Sequence, residues 1–408
     1  MTDSYKNSET APPIMQGSPP PLDMRPPALA WDRPPWNRYT FQHIREFLPT
    51  APILRGQSIS DLPEGHQNIG QISLSAKGYD KTINQMLDDT YTDGMLIYLD
   101  GKIIHESYHN GMSQRTLHLC QSVSKSITAT AGACLIEDGL MDPKAPITEY
   151  LPELENTAWR GSTLQNVLDM SSGVLYDETY ERPDSDMGIT DYASGWKPAP
   201  SGVDTSGWPT TIWDQILSLK QQDVDHGSHF SYRSIETDVF GHAMERVTDQ
   251  RLPQILSERL WGPMGAEEDA NITVDKAGYG LACGGISASL RDFARFGLAM
   301  LNDGQVEGRQ VIPRSWVYDV RGGHHGHFND YGRAYFPNGR YRNKFWIEDK
   351  DKQGHFCLGV FGQTIYVSPE RGMVVVKLST WPTFTNPDFL KETVAGFHAV
   401  ADAFGFTG

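Results

Sequence analysis

The sequence predicts an α+β protein: an antiparallel sheet assembled from both ends of the chain, flanked by helices, with a mainly helical region inserted between its halves. Three observations predict it. Met95-Leu96-Ile97-Tyr98-Leu99 and Lys102-Ile103-Ile104-His105 flank Asp100-Gly101, and Asp-Gly between two apolar runs signals a hairpin with a type I′ turn. The last third of the chain returns to strands at 359–367 and at 373–378, the second a continuous apolar run of the kind buried on both faces. Between these ends, residues 142–280 alternate short apolar-periodic segments with Gly-, Pro- and Asp-rich connections, a helical and loop-rich texture.

The elements follow in order. Residues 1–35 read as a flexible N-terminal arm, given Pro12-Pro13, Pro19-Pro20-Pro21 and Pro26-Pro27. Residues 36–47 mix aromatics with charges and are expected to dock on the body. A helix is expected at 79–89, ahead of the hairpin. A short extended segment at 116–119 leads into a Pro-free run at 127–140, rich in Ala, Thr and Ile, that reads as a helix. Further helices are expected at 164–170, 212–219, 237–248, 253–260 and 290–301, with a closing helix at 388–404. The connection 171–207 is too long to be idle in a compact protein and is expected to line a site. The domain reading is an arm over 1–35, a sheet sub-domain from 36–145 and 281–408, and a helical insert over 146–280.

Composition narrows the function. The chain has 408 residues and a net charge of -16, which argues against nucleic-acid and anionic-membrane partners. Its N-terminus has no apolar core of signal-peptide type, and no stretch has the length of a membrane span. Four cysteines without a C-x-x-C pair indicate neither a zinc site nor a disulfide framework and point to a reducing cytoplasm. His324-His325-Gly326-His327 offers imidazoles, but a Gly-flanked loop without a second ligand set is not read as a metal site. No cofactor is expected.

The chemistry centres on Cys120-Gln121-Ser122-Val123-Ser124-Lys125-Ser126. Ser122 would stand at the start of the 127–140 helix with Lys125 one turn on, on the same face. A serine hydroxyl needs an adjacent base to become a nucleophile, and a lysine shielded from water gives up its proton more easily. The free N–H groups of a helix start favour developing negative charge. S-x-x-K is short, however, and recurs at Ser194-Gly195-Trp196-Lys197 among Gly and Pro residues.

The order of motifs resolves this ambiguity. Sheet, helix-start S-x-x-K, helical insert, Tyr232-Arg233-Ser234 and late strands together resemble the serine β-lactamase/penicillin-binding-protein fold. The chain is most similar to the class C-type serine hydrolases, and among them to the 6-aminohexanoate-dimer (nylon-oligomer) hydrolases. This resemblance runs through Ile147-Thr148-Glu149-Tyr150-Leu151-Pro152, Asp177-Glu178-Thr179-Tyr180, Phe230-Ser231-Tyr232-Arg233-Ser234, Arg291-Asp292-Phe293-Ala294-Arg295-Phe296-Gly297 and Gly359-Val360-Phe361-Gly362-Gln363.

The resemblance implies a metal-independent hydrolase of amide or ester bonds in small linear substrates, working through an acyl-enzyme on Ser122. Lys125 would take or share the serine proton, and Tyr232 would relay it to the leaving group. Y-x-S/N also occurs at Tyr108, Tyr192, Tyr341 and Tyr366, so order and flanks select Tyr232. The oxyanion hole would be the backbone N–H groups of Ser122 and Val360. Substrate contacts would come from Tyr180, Asp191, Cys283, Trp346 and Phe361: Tyr180 on the amide, Asp191 on a cationic amine end, Trp346 walling the acyl pocket, and Cys283 and Phe361 where relatives carry polar side chains. Each has a plainer reading as a packed or exposed side chain. The β-lactamase K-T-G triplet falls on Cys357-Leu358-Gly359, without a lysine, which weakens a β-lactamase or D-amino-acid peptidase reading. A carboxylesterase without amidase activity, and a non-catalytic binding member of the fold, are the alternatives. Relatives of this kind are often homodimers.

Overall fold

The computed structural model describes residues 14–322 and 328–406. Its centre is a seven-stranded antiparallel sheet in the spatial order Lys102–Tyr108, Thr92–Leu99, Met373–Ser379, Gln363–Ser368, His355–Gly359, Phe345–Ile347, Arg340–Arg342. The sheet is therefore made from both ends of the chain. The expected hairpin is present, and its turn residues Asp100 and Gly101 both take left-handed backbone angles, φ 48° and 85°, as a type I′ turn requires.

Met373–Ser379 lies inside the sheet and is buried on both faces. Val374, Val376 and Leu378 point into one core with Leu290, Phe293 and Phe296 of the helix Leu290–Leu301. Met373 and Val375 point into the other with Leu390 and Phe397 of the closing helix Pro387–Ala403. The period-two alternation of a strand thus feeds two helical layers, which is why this strand reads as an unbroken apolar run. The helix Leu290–Leu301 approaches so closely that a Cβ on Gly297 would lie 2.5 Å from Val374 Cγ1.

The insert supplies the helices Ile147–Tyr150, Leu164–Leu168, Asp186–Ala193, Ile212–Ser218, Ile235–Thr248 and Leu252–Leu256, the last running on into a π-turn at Ser257–Trp261. A second, four-stranded sheet orders Thr50–Ile53, Ala270–Thr273, Ile286–Ala288 and His118–Leu119. It straddles the expected 280/281 boundary, because Ala270–Thr273 pairs with a strand some 220 residues earlier, a partner no local pattern reveals.

Two further departures bear on the site. The long connection 171–207 contains the helix Asp186–Ala193, capped by Ser185 Oγ accepting from Gly188 N at 3.0 Å. The arm expected over 1–35 is tied down at its end. Trp31 is buried edge-on to Trp196, with ring centroids 5.4 Å apart, and donates from Nε1 to the Trp196 carbonyl at 2.8 Å. Burying an indole with its N–H satisfied is enough to hold such a segment. Residues 1–13 lie outside the described residues.

Candidate active site

The helix that follows the candidate nucleophile Ser122, Val123–Glu137, begins just after the strand His118–Leu119 ends. Cys120 N donates to Ile286 O at 2.9 Å, closing the strand, and Gln121 then turns the chain at φ 50°. A non-glycine residue in the left-handed region is costly, and such turns gather where the fold must aim a side chain. Here it places Ser122 at the N-cap, buried but for 8% of its surface.

Lys125 Nζ donates to Ser122 Oγ at 2.7 Å and to the Cys283 carbonyl at 2.6 Å. Lys125 Nζ lies 5.3 Å from the centroid of the Tyr232 ring, and Tyr232 lines a cavity together with Ser122. Its segment is held by Ser231 N donating to Met170 O at 2.9 Å. Its ring stacks on Trp346, with centroids 5.6 Å apart and planes 26° off parallel. The three residues of the resemblance therefore meet at one point, with the indole fixing the phenol's plane.

The electrostatics modify one expectation. Burial does pull the Lys125 ammonium down, but the acidic groups of Tyr232, Cys283, Glu178 and Asp238 outweigh it, so its pKa stands above the ordinary lysine value. Shielding alone does not free this lysine of its proton. Burial pushes the Tyr232 phenol up, and the neighbouring Lys125 and Ser122 offset part of that.

Ser122 lies between two small cavities. One, of about 60 Å³, is lined by Tyr180, Tyr232, Trp346, Leu358 and Val360. The other, of about 20 Å³, is lined by Lys125, Asp191, Trp196, Cys283 and Val360. Ser122, Tyr180 and Val360 border both. Asp191 reaches this region but is paired with Lys197 at 2.9 Å, and Lys197 also pairs with Asp32 at 2.8 Å. The second S-x-x-K thus supplies a counter-ion rather than a base.

Phe361 corrects the expectation that it borders the substrate. Its backbone sits at φ 63°, which turns the ring into the core against Phe41 and Phe384 at centroid distances of 5.3 and 4.8 Å. It lines neither cavity. Val360, and not Phe361, lines both cavities together with Ser122.

Three residues that the motifs did not single out shape the site. Glu178 accepts from Tyr180 Oη at 2.8 Å, from Ser234 N at 2.8 Å and from Ser234 Oγ at 2.5 Å. It joins the long loop to the N-terminus of the helix Ile235–Thr248. Asp238, inside that helix, accepts from Cys283 N and Tyr279 Oη, each at 3.3 Å; burial pushes its carboxyl up to about 6. Lys344 is buried at φ 68° in the turn between the edge strand Arg340–Arg342 and its neighbour Phe345–Ile347, donating to Val167 O at 2.6 Å while its own carbonyl accepts from Ser126 Oγ at 2.7 Å. Only Glu178 had a sequence signal, its place in the Asp177–Tyr180 block.

Among the described residues, the ligand atoms of Glu64, His66 and Glu106 come within 4.8 Å of one another. Arg291 already bridges the two glutamates, at 2.5 and 2.7 Å, so the group is an ion-pair cluster. The His324–His327 run lies outside the described residues.

With this geometry in place, comparison with known proteins is decisive. The family model described as Beta-lactamase matches residues 80–399. The chain belongs to the beta-lactamase family. It is 34% identical over 356 residues to the 6-aminohexanoate-dimer hydrolase of Paenarthrobacter ureafaciens, covering 86% of this chain and 88% of that one. Esterase EstB of Burkholderia gladioli is 27% identical over 206 residues, 48% of this chain and 44% of that one. A solved structure from Bacillus anthracis, provisionally assigned as a 6-aminohexanoate-dimer hydrolase, superposes with a TM-score of 0.85 at 27% identity, over 96% of this chain and all of that one. The protein is a serine hydrolase of amide or ester bonds within this family. The strand that would carry the family's K-T-G triplet lies beside the nucleophile: a Cβ on Gly359 would come within 2.5 Å of the Cys120 carbonyl.

Proposed function

We propose that the protein hydrolyses small linear amides, including 6-aminohexanoate dimer, and simple carboxylesters through an acyl-enzyme on Ser122. The observation that carries this reading is Ser122 Oγ at 2.7 Å from Lys125 Nζ, with the centroid of the Tyr232 ring 5.3 Å from that nitrogen. Lys125 and Tyr232 act as one coupled acid–base pair. The form with one proton fewer accepts the serine proton as Oγ bonds to the carbonyl carbon. The oxyanion that develops faces the N–H groups of Ser122 and Val360, and helix-start amides stabilise such charge without reorganising. The tetrahedral intermediate expels the amine or alcohol, which takes its proton from Tyr232. Water then attacks the acyl carbon by the reverse sequence and frees Ser122 and the acid.

Tyr180 would meet the substrate amide, with Glu178 accepting from its hydroxyl. Asp191 would receive a cationic amine end in exchange for Lys197. Trp346 and Leu358 would wall the acyl chain. A cytoplasmic location fits four cysteines that are all free; no helix of the described residues is long and apolar enough to cross a membrane.

The test is turnover of p-nitrophenyl acetate and release of 6-aminohexanoate from its linear dimer by the protein and by Ser122→Ala. Both reactions are expected to stop in the variant. Ester turnover without amine release would leave a carboxylesterase. Equal rates in protein and variant would remove the acyl-enzyme.

A further inference from the structure

Three consecutive residues near the start of the described chain each reach a residue that belongs to the Ser122 cavities or is paired with one that does. Trp31 packs edge-on against Trp196, and Trp196 lines the smaller cavity. Arg33 places its guanidinium 3.8 Å from the centroid of the Phe384 ring, and Phe384 lines the larger one. Asp32, between them, pairs with Lys197, the partner of Asp191. The Trp31 carbonyl accepts from Thr40 Oγ1 at 2.7 Å, which ties this segment to the body.

Asp32 carries the consequence. Lys197 Nζ stands 2.8 Å from Asp32 Oδ2 and 2.9 Å from Asp191 Oδ2, so one ammonium is shared by two carboxylates. The three side chains are largely buried, exposed by 4% for Asp32, 14% for Lys197 and 15% for Asp191. Burial pulls the Lys197 ammonium down, but the two carboxylates outweigh it, and its pKa stands above the ordinary lysine value. Arg33 adds a fourth charge, with Nε 3.8 Å from Asp32 Oδ1. That oxygen accepts no hydrogen bond among the described residues. These four charges sum to zero, so the group can take up a cation by exchange of partners and not through a net field.

Exchange is where Asp32 matters. A cation that binds Asp191 must displace Lys197 from it. A buried charge stripped of its only partner is strongly destabilising, whereas one that keeps a partner is not. Lys197 displaced from Asp191 keeps Asp32, whose second oxygen has room for another hydrogen bond.

We propose that Asp32 is a positioning residue of the active site: by holding Lys197, it frees Asp191 to take the ammonium end of a substrate whose scissile carbonyl lies at Ser122. The proposal rests on the reading above that Asp191 receives a cationic amine end. It adds the residue, from a segment far from the catalytic motifs, that makes this exchange possible.

The experiment uses p-nitrophenyl 6-aminohexanoate and p-nitrophenyl heptanoate at pH 7, where the amine is charged. The two esters have equal length and differ by an ammonium in place of a methyl group. The readout is the ratio of their kcat/KM values, in which a general loss of activity cancels. Asp32→Asn is expected to lower this ratio about tenfold or more, because Lys197 is then left to Asp191 alone. Asp32→Asn/Lys197→Gln removes the ammonium that would be stranded, and is expected to restore the ratio to that of the protein or above. A merely structural role for Asp32 predicts no such rescue. Asp191→Asn is expected to lose the preference for the amine. A ratio unchanged or raised in Asp32→Asn but lost in Asp191→Asn overturns the proposal and leaves the Asp191 reading standing, as does a loss that the double variant fails to restore. A ratio unmoved in both Asp32→Asn and Asp191→Asn overturns the two together. Should Asp32→Asn not fold, the double variant decides alone: a ratio at or above that of the protein supports the proposal, and a lower one overturns it. Turnover of both esters at full rate by Ser122→Ala would remove the hydrolase reading itself.

Discussion

Lys125 Nζ is shared between Ser122 Oγ at 2.7 Å and the carbonyl of Cys283 at 2.6 Å. The nucleophile helix and the Leu281–Gly285 segment thus fix the ammonium from two sides, and it cannot swing away from the serine without abandoning a buried bond. Lys125→Ala is expected to lower kcat/KM for p-nitrophenyl acetate by about 10²–10⁴-fold, the range for loss of an acid–base group. Its circular dichroism should be unchanged. A variant at full rate would remove the lysine from proton transfer.

Tyr232 divides the two chemistries. An amine leaving group must be protonated as it departs, whereas p-nitrophenolate leaves unaided. Tyr232→Phe keeps the ring on Trp346 and removes only the hydroxyl. We expect amide hydrolysis to fall by about 10²-fold or more and nitrophenyl-ester hydrolysis by about tenfold or less. Parallel assays of amine and nitrophenol release decide the matter. An equal loss in both would place the phenol in the attack step instead.

Asp238 couples stability to pH. Burial raises its carboxyl from 3.8 to about 6. Between about pH 4 and pH 6 the folded chain therefore holds a proton that the unfolded chain has lost. Stability from this group falls as pH rises through that window and stays reduced above it. Asp238→Asn retains an oxygen for the Cys283 N–H and removes the buried charge. It is expected to stabilise the fold by up to about 3 kcal/mol at pH 8 and by little at pH 4. Thermal unfolding at the two pH values measures the difference, and an equal gain at both would show that charge is not its origin. Asp238 also supports the Lys125 ammonium, so the rising limb of kcat/KM against pH should move to lower pH in the same variant.

Gly359 sets the distance between the nucleophile and the strand that faces it. A Cβ there would meet the Cys120 carbonyl at 2.5 Å and Gln121 Cβ at 3.1 Å. The first is backbone and cannot rotate away, so the strand must retreat and carry the Val360 N–H with it. Gly359→Ala is expected to lower kcat by about 10²-fold, the scale of losing one oxyanion donor, with a smaller change in KM. Unchanged kcat would mean that the Val360 amide is not used.

The parts of this molecule that depend on local pattern were legible in the sequence. The Asp100-Gly101 hairpin, the buried strand at 373–378 and the helix after Ser122 follow from turn chemistry and periodicity. The candidate catalytic residues could be named from the sequence because the order of their motifs is specific where each motif alone is not. What stayed hidden depends on partners distant in sequence. Asp191 looks like a free carboxylate until Lys197 and Asp32 are folded against it. Phe361 looks like a wall residue until its left-handed φ turns it inward. Lys344 occupies a turn position that favours glycine or asparagine, and only its bond to Val167 O explains a lysine there. The helix at Asp186–Ala193 was missed because Gly and Pro on either side disguised a segment that Ser185 caps in the ordinary way.

The central strand, Met373–Ser379, lies between Thr92–Leu99 and Gln363–Ser368. During synthesis, the first hairpin and the Ser122 helix leave the ribosome long before that strand does. Until it arrives, Leu96 and Ile97 have no neighbour on one edge, and the nucleophile has no opposing wall. A nascent chain stalled before residue 370 would present an unpaired apolar strand edge, an aggregation hazard for a chaperone to cover, and its serine would be chemically silent. Pairing strands so distant in sequence within one sheet thus delays the enzyme's activity until Met373–Ser379 has been made.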